Sequence, residues 1–371
     1  MASFNTILKV FGGAIGGALI YYIITTGNNN NNNGNSNNNN NNSNNTEEHQ
    51  NTDNTSGLTS SGRSGRRALV NSINNSSSDI GSIHNLIDLL QNTLIEYILT
   101  QETSHVITLD SQATLDYALM RMNESNVTSL PIVDLQHKKY IGMLSIVDIA
   151  TFLGQFPSVE SPNTPVGEVL KYNREPFLPL FVNSPIQLLI HIMTHQLQVP
   201  IMSNETIVVD IVSRLNVIKF INENIDELGS KANSSVRSLG LLSKEIFSID
   251  MDSRVIDAIN LLNSEQITEL AVIDKDGKLI GTFSPSDLRK LSIYSFNQCY
   301  EPISKFIKFP PQDQLILVSP SSTLKATIRK FVDNNAQICW IVDNQLKPIS
   351  SITQLSLMKF FLNLSTSVIA D

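Results

Sequence analysis

The stretch KYIGMLSIVDIATF, Lys139–Phe152, holds the turn on which the reading of this chain depends. An apolar strand carrying one glycine runs into Ser-Ile-Val-Asp, and apolar residues at helical spacing follow. Ser145 can accept from the backbone N–H three residues on, and Asp148 can reach back to the N–H of Ser145, which is the pattern of a capping box. The same carboxylate at a helix start can accept from two adjacent hydroxyls, as a ribose diol requires. Two readings of one motif therefore stand together: a helix cap and a sugar ligand.

The turn recurs within a larger repeat. Each copy offers a short apolar strand, a Ser or Pro turn, a helix, a second apolar strand, a polar turn, a third strand, and then Ser-x-x-polar opening another helix. Copy one reads HVITLDSQATLDYALMRM, SLPIVD and YIGMLSIVDIATFL; copy two reads FLPLFVNSPIQLLIHIM, VPIMSN and IVVDIVSRLNVIKFI. Copy three reads IFSIDMDSRVIDAINLL and LAVIDKDGKLIGTFSPSDLRKL; copy four reads LILVSPSSTLKATIRKF and CWIVDNQLKPISSITQLSLMKFF. The key serines Ser145, Ser213, Ser284 and Ser351 fall about 70 residues apart. Lys275–Gly277, KDG between two apolar runs, predicts a hairpin turn. Ahead of the first copy, Asp79 to Thr100 reads as an amphipathic helix with Ile83, Leu86, Ile87, Leu90 and Leu94 on one stripe. Two helices on a small sheet cannot cover both of its faces, so copies are expected to pair. The polar, Gly- and Ser-bearing stretch around Asn222 to Ser238 places the boundary between two pairs.

The chain has 371 residues, with 26 Lys and Arg against 34 Asp and Glu and a formal net charge of −8. Such a balance lacks the basic footprint that duplex nucleic acid requires, so no nucleic-acid partner is expected. Two cysteines, Cys299 and Cys339, are too few for a disulfide framework and fit a reducing, cytoplasmic setting.

The first 78 residues differ in kind. Ile7–Ile24, ILKVFGGAIGGALIYYII, is apolar apart from Lys9. Its 18 residues would reach roughly 27 Å as a helix, close to the thickness of a bilayer core of about 30 Å. It reads as a membrane anchor, with a loosely structured tail and a cleaved signal peptide as the alternatives. The asparagine run from Asn28 to Asn45 and the Ser/Thr/Gly stretch after it bury too little apolar surface to offset chain entropy, and read as a disordered tether. Arg63, Arg66 and Arg67 form a solvated basic cluster that could meet lipid headgroups.

The repeat resembles the CBS domain, and its four copies resemble the γ regulatory subunit of AMP-activated/SNF1-type protein kinases. GMLSIVDI in copy one is similar to that subunit's pattern, and GTFSPSDLR in copy three is similar to plant-type relatives. The resemblance covers roughly Leu86 to Leu364 and implies an α/β chain of α+β-type repeats, four tandem CBS domains forming two CBS pairs packed as a disc. On this reading residues 1–26 are the hydrophobic segment and 27–78 the Asn-rich tether. Residues 79–225 form the first pair (repeats about 100–155 and 173–222), and 226–371 the second (repeats about 240–293 and 310–364). The resemblance implies no catalysis and no cofactor. It implies an adenine nucleotide (AMP, ADP or ATP) in the clefts between paired repeats, read by a kinase catalytic subunit together with a β-type subunit. A degenerate scaffold that mediates interaction without nucleotide is the alternative, membrane-tethered through residues 7–24 in either case.

The implied nucleotide residues are Ser145, Asp148 and Met143 in copy one, Arg214 in copy two, and Thr268, Ser284, Asp287 and Arg289 in copy three. The ribose carboxylate maps onto Asp148 and Asp287, but onto Asn216 in copy two and Gln354 in copy four, where an amide holds a diol less well. The basic residues expected on the phosphate side are replaced by Thr128, Gln198 and Ile338, leaving Arg214, Arg289 and the helix starts after Ser145 and Ser284 to meet an anion. Adenosine is therefore better provided for than a triphosphate.

Plainer assignments compete throughout. All four Ser-x-x-polar pairs satisfy a cap, Arg214 reads more simply as a solvated or ion-paired side chain than as a phosphate ligand, and His191 and His195 share a helix face with no third metal ligand. Met120, Met122 and Met193 read as core or interface filler, and Trp340 as core. There is no Gly-rich phosphate loop or nucleophile elbow, which argues against catalysis.

Overall fold

The computed structural model describes residues 79–99, 106–137, 139–158, 160–173, 177–204, 207–292 and 294–367. The expected N-terminal anchor, its asparagine tether and Arg63, Arg66 and Arg67 lie outside the described residues. Among the described residues no helix is long and apolar enough to cross a membrane.

After a leading helix, α1 (Asp79–Asn92), the predicted repeat appears four times. Repeat one comprises β1 (Leu109–Asp110), α2 (Leu115–Glu124), β2 (Ser129–Asp134), β3 (Lys139–Ser145) and α3 (Ile146–Gln155). Repeat two comprises β4 (Leu180–Phe181), α4 (Ile186–Met193), β5 (Gln198–Asn204), β6 (Ile207–Ser213) and α5 (Arg214–Glu223). Repeat three has β7 (Ser248–Asp250), α6 (Val255–Ser264), β8 (Leu270–Ile273) and β9 (Leu279–Phe283). In these three the first strand lies parallel to the second and the second antiparallel to the third. Repeat four has α7 (Leu324–Asp333), β10 (Ile338–Val342), β11 (Pro348–Thr353) and α8 (Gln354–Ser367). Its first strand is reduced to a single parallel bridge, Leu317 to Trp340.

Local chemistry explains the element starts. Thr114 and Thr323 cap α2 and α7, their hydroxyls accepting from the backbone N–H of Tyr117 and Ala326. Asn126, Gln266 and Asn335 adopt φ of 52°, 56° and 47° just past α2, α6 and α7, the left-handed turn that leads each helix back into its sheet. The KDG hairpin forms as predicted, with Gly277 at φ 77° and the Asp274 carboxylate accepting from the N–H of Asp276 and Lys278.

Two departures from the sequence reading are instructive. Copy three does not follow Ser284 with a full helix: Pro285–Lys290 is a six-residue 3-10 segment. Leu288, Leu291 and Phe296 all enter the core. In copy four the helix start is Thr353, with Ser356 three residues on, rather than Ser351 with Gln354. Thr353 and Ser356 exchange side-chain and backbone bonds (Ser356 N–H to Thr353 Oγ1 3.1 Å, Thr353 N–H to Ser356 Oγ 3.0 Å), while Ser351 lies inside β11 opposite Trp340. A slip of two residues along a strand keeps every side chain on its own face, so the hydrophobic pattern could not reveal it.

Two cores hold the repeats together, and neither follows chain order. One joins repeat one to repeat three, combining Leu119, Leu144, Ile149 and Leu153 with Ile256, Ile259, Leu262 and Phe283. The other joins repeat two to repeat four and takes in α1 through Leu86 and Leu90. Consecutive repeats meet through their sheets instead. Between three and four, Ala271, Leu279, Ile338 and Trp340 form a small apolar cluster. The Trp340 indole N–H donates to Thr282 Oγ1 at 2.8 Å while the ring is 3% exposed. Trp340→Phe, which removes that donor, is expected to cost about 1 kcal/mol in chemical denaturation.

The segment at 222–238, expected as a polar boundary, is packed: Ile225, Leu228, Ala232 and Val236 are buried in the second core. Segments also serve repeats other than the one they adjoin. Leu94, just after α1, bridges Pro185 at the start of α4, and Ser235, ahead of repeat three, bridges Thr323 at the start of α7.

Candidate functional site

The four second-helix starts converge. A cavity of about 1040 Å³ is lined by Ile146 and Val147 of repeat one, Arg214 and Leu215 of repeat two, Pro285 and Ser286 of repeat three, and Gln354 and Leu355 of repeat four. First-turn N–H groups have no partner within their own helix, so such starts bring positive potential to the space they face. The strand starts opposite complete the wall. Strand register aligns Ser129, Gln198 and Ile338, each beside a cap residue: Ser129 pairs Ser145, Gln198 pairs Ser213, and Ile338 pairs Thr353; Glu269, just before the Leu270–Phe283 pair, is the position that corresponds in repeat three. Ser129, not Thr128, is thus the counterpart of Gln198 and Ile338; Thr128 is one residue earlier in the chain.

Polar side chains bridge repeats one and two at this wall. The Ser129 hydroxyl donates to Gln198 Oε1, and Gln198 Nε2 donates to Thr128 Oγ1 at 3.1 Å. Arg214 is 7% exposed, and its Nε donates to the Met193 carbonyl at 2.8 Å, which fixes the guanidinium at the cavity edge. Glu269 lines the cavity and is half-buried. Burial pushes its carboxyl up to about 7, against the lowering pull of the Thr268 hydroxyl (2.6 Å from its Oε2) and of Arg214. His195, Lys244 and Glu245 also line the space.

The predicted site residues divide. Arg214 and Thr268 line the cavity; Ser145, Asp148, Met143, Ser284, Asp287 and Arg289 are not part of its wall. Asp148 is 0% exposed, and its Oδ2 accepts from the Ser145 backbone N–H at 2.8 Å and the Ser145 hydroxyl at 2.6 Å. Both halves of the capping box are present, so this carboxylate is committed to the cap. Asp287 makes the same box with Ser284 (2.9 Å to the N–H) but remains half-buried. Burial raises its carboxyl above the ordinary range, opposed by the Ser284 N–H and hydroxyl, Lys290 and Arg289. Asn216 holds the Ser213 N–H at 2.9 Å, so an amide serves the cap as a carboxylate does.

Met143 is buried, and its carbonyl accepts from Asn173 Nδ2 at 3.1 Å. Arg289 turns outward: its Nη1 donates to Asn126 Oδ1 at 2.8 Å, tying repeat three to repeat one, and its Nε donates to the Ser286 carbonyl at 3.1 Å. Met122 and Met193 are core as expected, whereas Met120 is exposed. His191 and His195 lie edge to face at 6.3 Å; burial and the neighbouring His195 lower the His191 value. Among the described residues no cluster of three or more His, Cys, Asp or Glu could hold a metal ion. Sequence reasoning missed Glu269 altogether; the one available signal was an acid at a position where the other copies carry Ser, Gln or Ile.

The repeated units that meet at this cavity are similar to the CBS domain. The CBS domain family model matches residues 99–155 and 236–294, the first and third repeats. The crystal structure of MJ1225 from Methanocaldococcus jannaschii, described as a candidate archaeal homologue of g-AMPK, superposes with a TM-score of 0.62 at 21% identity, covering 72% of this chain and all of that one. By sequence the same archaeal protein is 22% identical over 281 residues, 70% of this chain and 96% of that one. Fungal sds23 proteins are also similar. The one from Neosartorya fischeri is 33% identical over 165 residues, 39% of this chain and 29% of the relative. The one from Aspergillus niger is 25% identical over 256 residues, 58% of this chain and 50% of the relative. The matched region therefore spans between 29% and 50% of the length of these fungal relatives. The chain thus carries two CBS-domain matches, and its fold is similar to that of MJ1225.

Proposed function

We propose that this chain is a non-catalytic regulatory module that binds an adenine nucleotide and modulates a partner, a protein kinase complex of the AMP-activated/SNF1 type. The observation that carries the reading is the shared cavity, onto which the helix starts of all four repeats open and at whose edge Arg214 is held. Such a space suits phosphate, with Arg214 as the fork of donors and helix-start N–H groups beside it. The half-buried Asp287, one residue beyond the wall formed by Pro285 and Ser286, is the carboxylate placed to take a ribose. Bound nucleotide would bridge repeats that otherwise meet only through their sheets or helices, shifting the population of arrangements a partner reads.

Isothermal titration of the full chain with AMP, ADP, ATP and adenosine tests this. AMP is expected to bind, and Arg214→Met to weaken it by roughly 10- to 100-fold, the effect of losing a charge-assisted contact of about 1.5–3 kcal/mol. Absence of heat with every ligand overturns the nucleotide reading.

A second reading has its own support. Asp148 holds the Ser145 N–H and hydroxyl through its Oδ2, and Trp340 fills the junction of repeats three and four, as suits a scaffold that mediates interaction without nucleotide. A partner complex whose stability ignores both nucleotide and Asp287→Ala would favour it.

A further inference from the structure

Glu269, one residue ahead of β8, lines the cavity at the place that corresponds to Ser129, Gln198 and Ile338, of which Gln198 and Ile338 also line it. Repeat three alone puts an acid there. Arg214, from the start of α5, lies within its electrostatic reach, and Thr268 donates to it. The other ionisable groups on the wall are His195, between α4 and β5, and Lys244 and Glu245, ahead of β7. A carboxylate beside the buried cation of a chamber suited to phosphate competes with that phosphate for the same positive field.

We infer that Glu269 is an internal competitor for Arg214: its carboxylate holds the cation's field in the ligand-free state, and an anionic ligand takes the cavity as this carboxyl gains a proton. At most one proton is taken up from solvent per ligand bound, approaching one at about pH 8 and falling off at about pH 6, and no covalent bond changes. Burial raises the group to about 7, which sets the exchange in the neutral range. The identity of the ligand rests on the nucleotide reading above; the competition itself does not.

The test uses the full chain, wild type and Glu269→Gln, titrated with AMP and separately with inorganic pyrophosphate at about pH 6 and about pH 8. Phosphate ionises in the same range, so the quantity read is the ratio of the two proteins' affinities for one ligand, in which the ligand's own titration cancels. If only the protonated form of Glu269 admits the anion, the advantage of Glu269→Gln grows about tenfold between those two pH values. Wild type is expected to take up a proton on binding that the variant does not, seen as heat that varies with the buffer's ionisation enthalpy. Pyrophosphate binding with this pattern while AMP fails to bind sustains the inference and removes the nucleotide reading. Binding by Glu269→Gln alone also sustains it.

A ratio that does not change with pH overturns the inference, as does failure of both ligands on both proteins. Melting of the ligand-free proteins guards against a folding defect in the variant. The wild-type carboxyl keeps its proton in the folded state after the unfolded chain has lost its own. The advantage of Glu269→Gln should therefore grow from about pH 5 to about pH 7 and level off above. No such trend would mean the carboxyl is not buried as described.

Discussion

Phe331→Ala is expected to lower the free energy of unfolding by about 3–5 kcal/mol, read as a fall in the denaturation midpoint at unchanged slope. Phe331 is 0% exposed on the inner face of α7, beside Leu324, Thr327 and Ile328. It belongs to the core that joins repeats two and four, where α7 packs on α5 and α8 on α4. Removing the ring forfeits its transfer energy and leaves a cavity between helices of two repeats that the chain cannot easily collapse. Because the same core anchors α1 through Leu86 and Leu90, amide exchange in α1 should accelerate along with that of α7. If α1 stays protected while α7 is released, the two are not one cooperative unit.

Asp148→Ala is expected to cost about 2–3 kcal/mol in the absence of any ligand. The substitution strands the buried Ser145 N–H and hydroxyl, which both donate to Asp148, and removes the box that starts α3. Asp148→Asn should stay within about 1 kcal/mol of wild type, because Asn216 holds the same N–H in repeat two at 2.9 Å. Equilibrium denaturation of the ligand-free protein separates this structural role from a ribose role. A carboxylate kept for ribose would leave ligand-free stability nearly unchanged when replaced by alanine.

The repeat was legible because its signals are local. Strand length, left-handed turns after helices, and Ser-x-x-polar before an apolar stripe all act within a dozen residues. The same locality explains the error in copy four. Ser351/Gln354 and Thr353/Ser356 satisfy the sequence pattern equally, and only the pairing of Ile338 with Thr353 chooses between them. The site was less legible. Asp148 and Asp287 occupy identical motifs, yet one is sealed and the other half-buried, because α3 packs fully between repeats one and three while copy three ends in a short 3-10 segment. Glu269 carries no motif. Its importance comes from lining, with Arg214 55 residues away in the chain, a space that segments of all four repeats enclose.

The amino-acid sequence by itself determined the repeated unit, its strands and caps, and the net acidic balance, since these depend on near neighbours and composition. Only the tertiary structure decided that repeat one packs on three and two on four, that α1 and Ser235 serve repeats they do not adjoin, and that four helix starts share one cavity. The physical reason is that apolar helix faces of similar pattern are interchangeable partners in sequence. Which faces meet is set by the combined burial and chain geometry of all four copies at once.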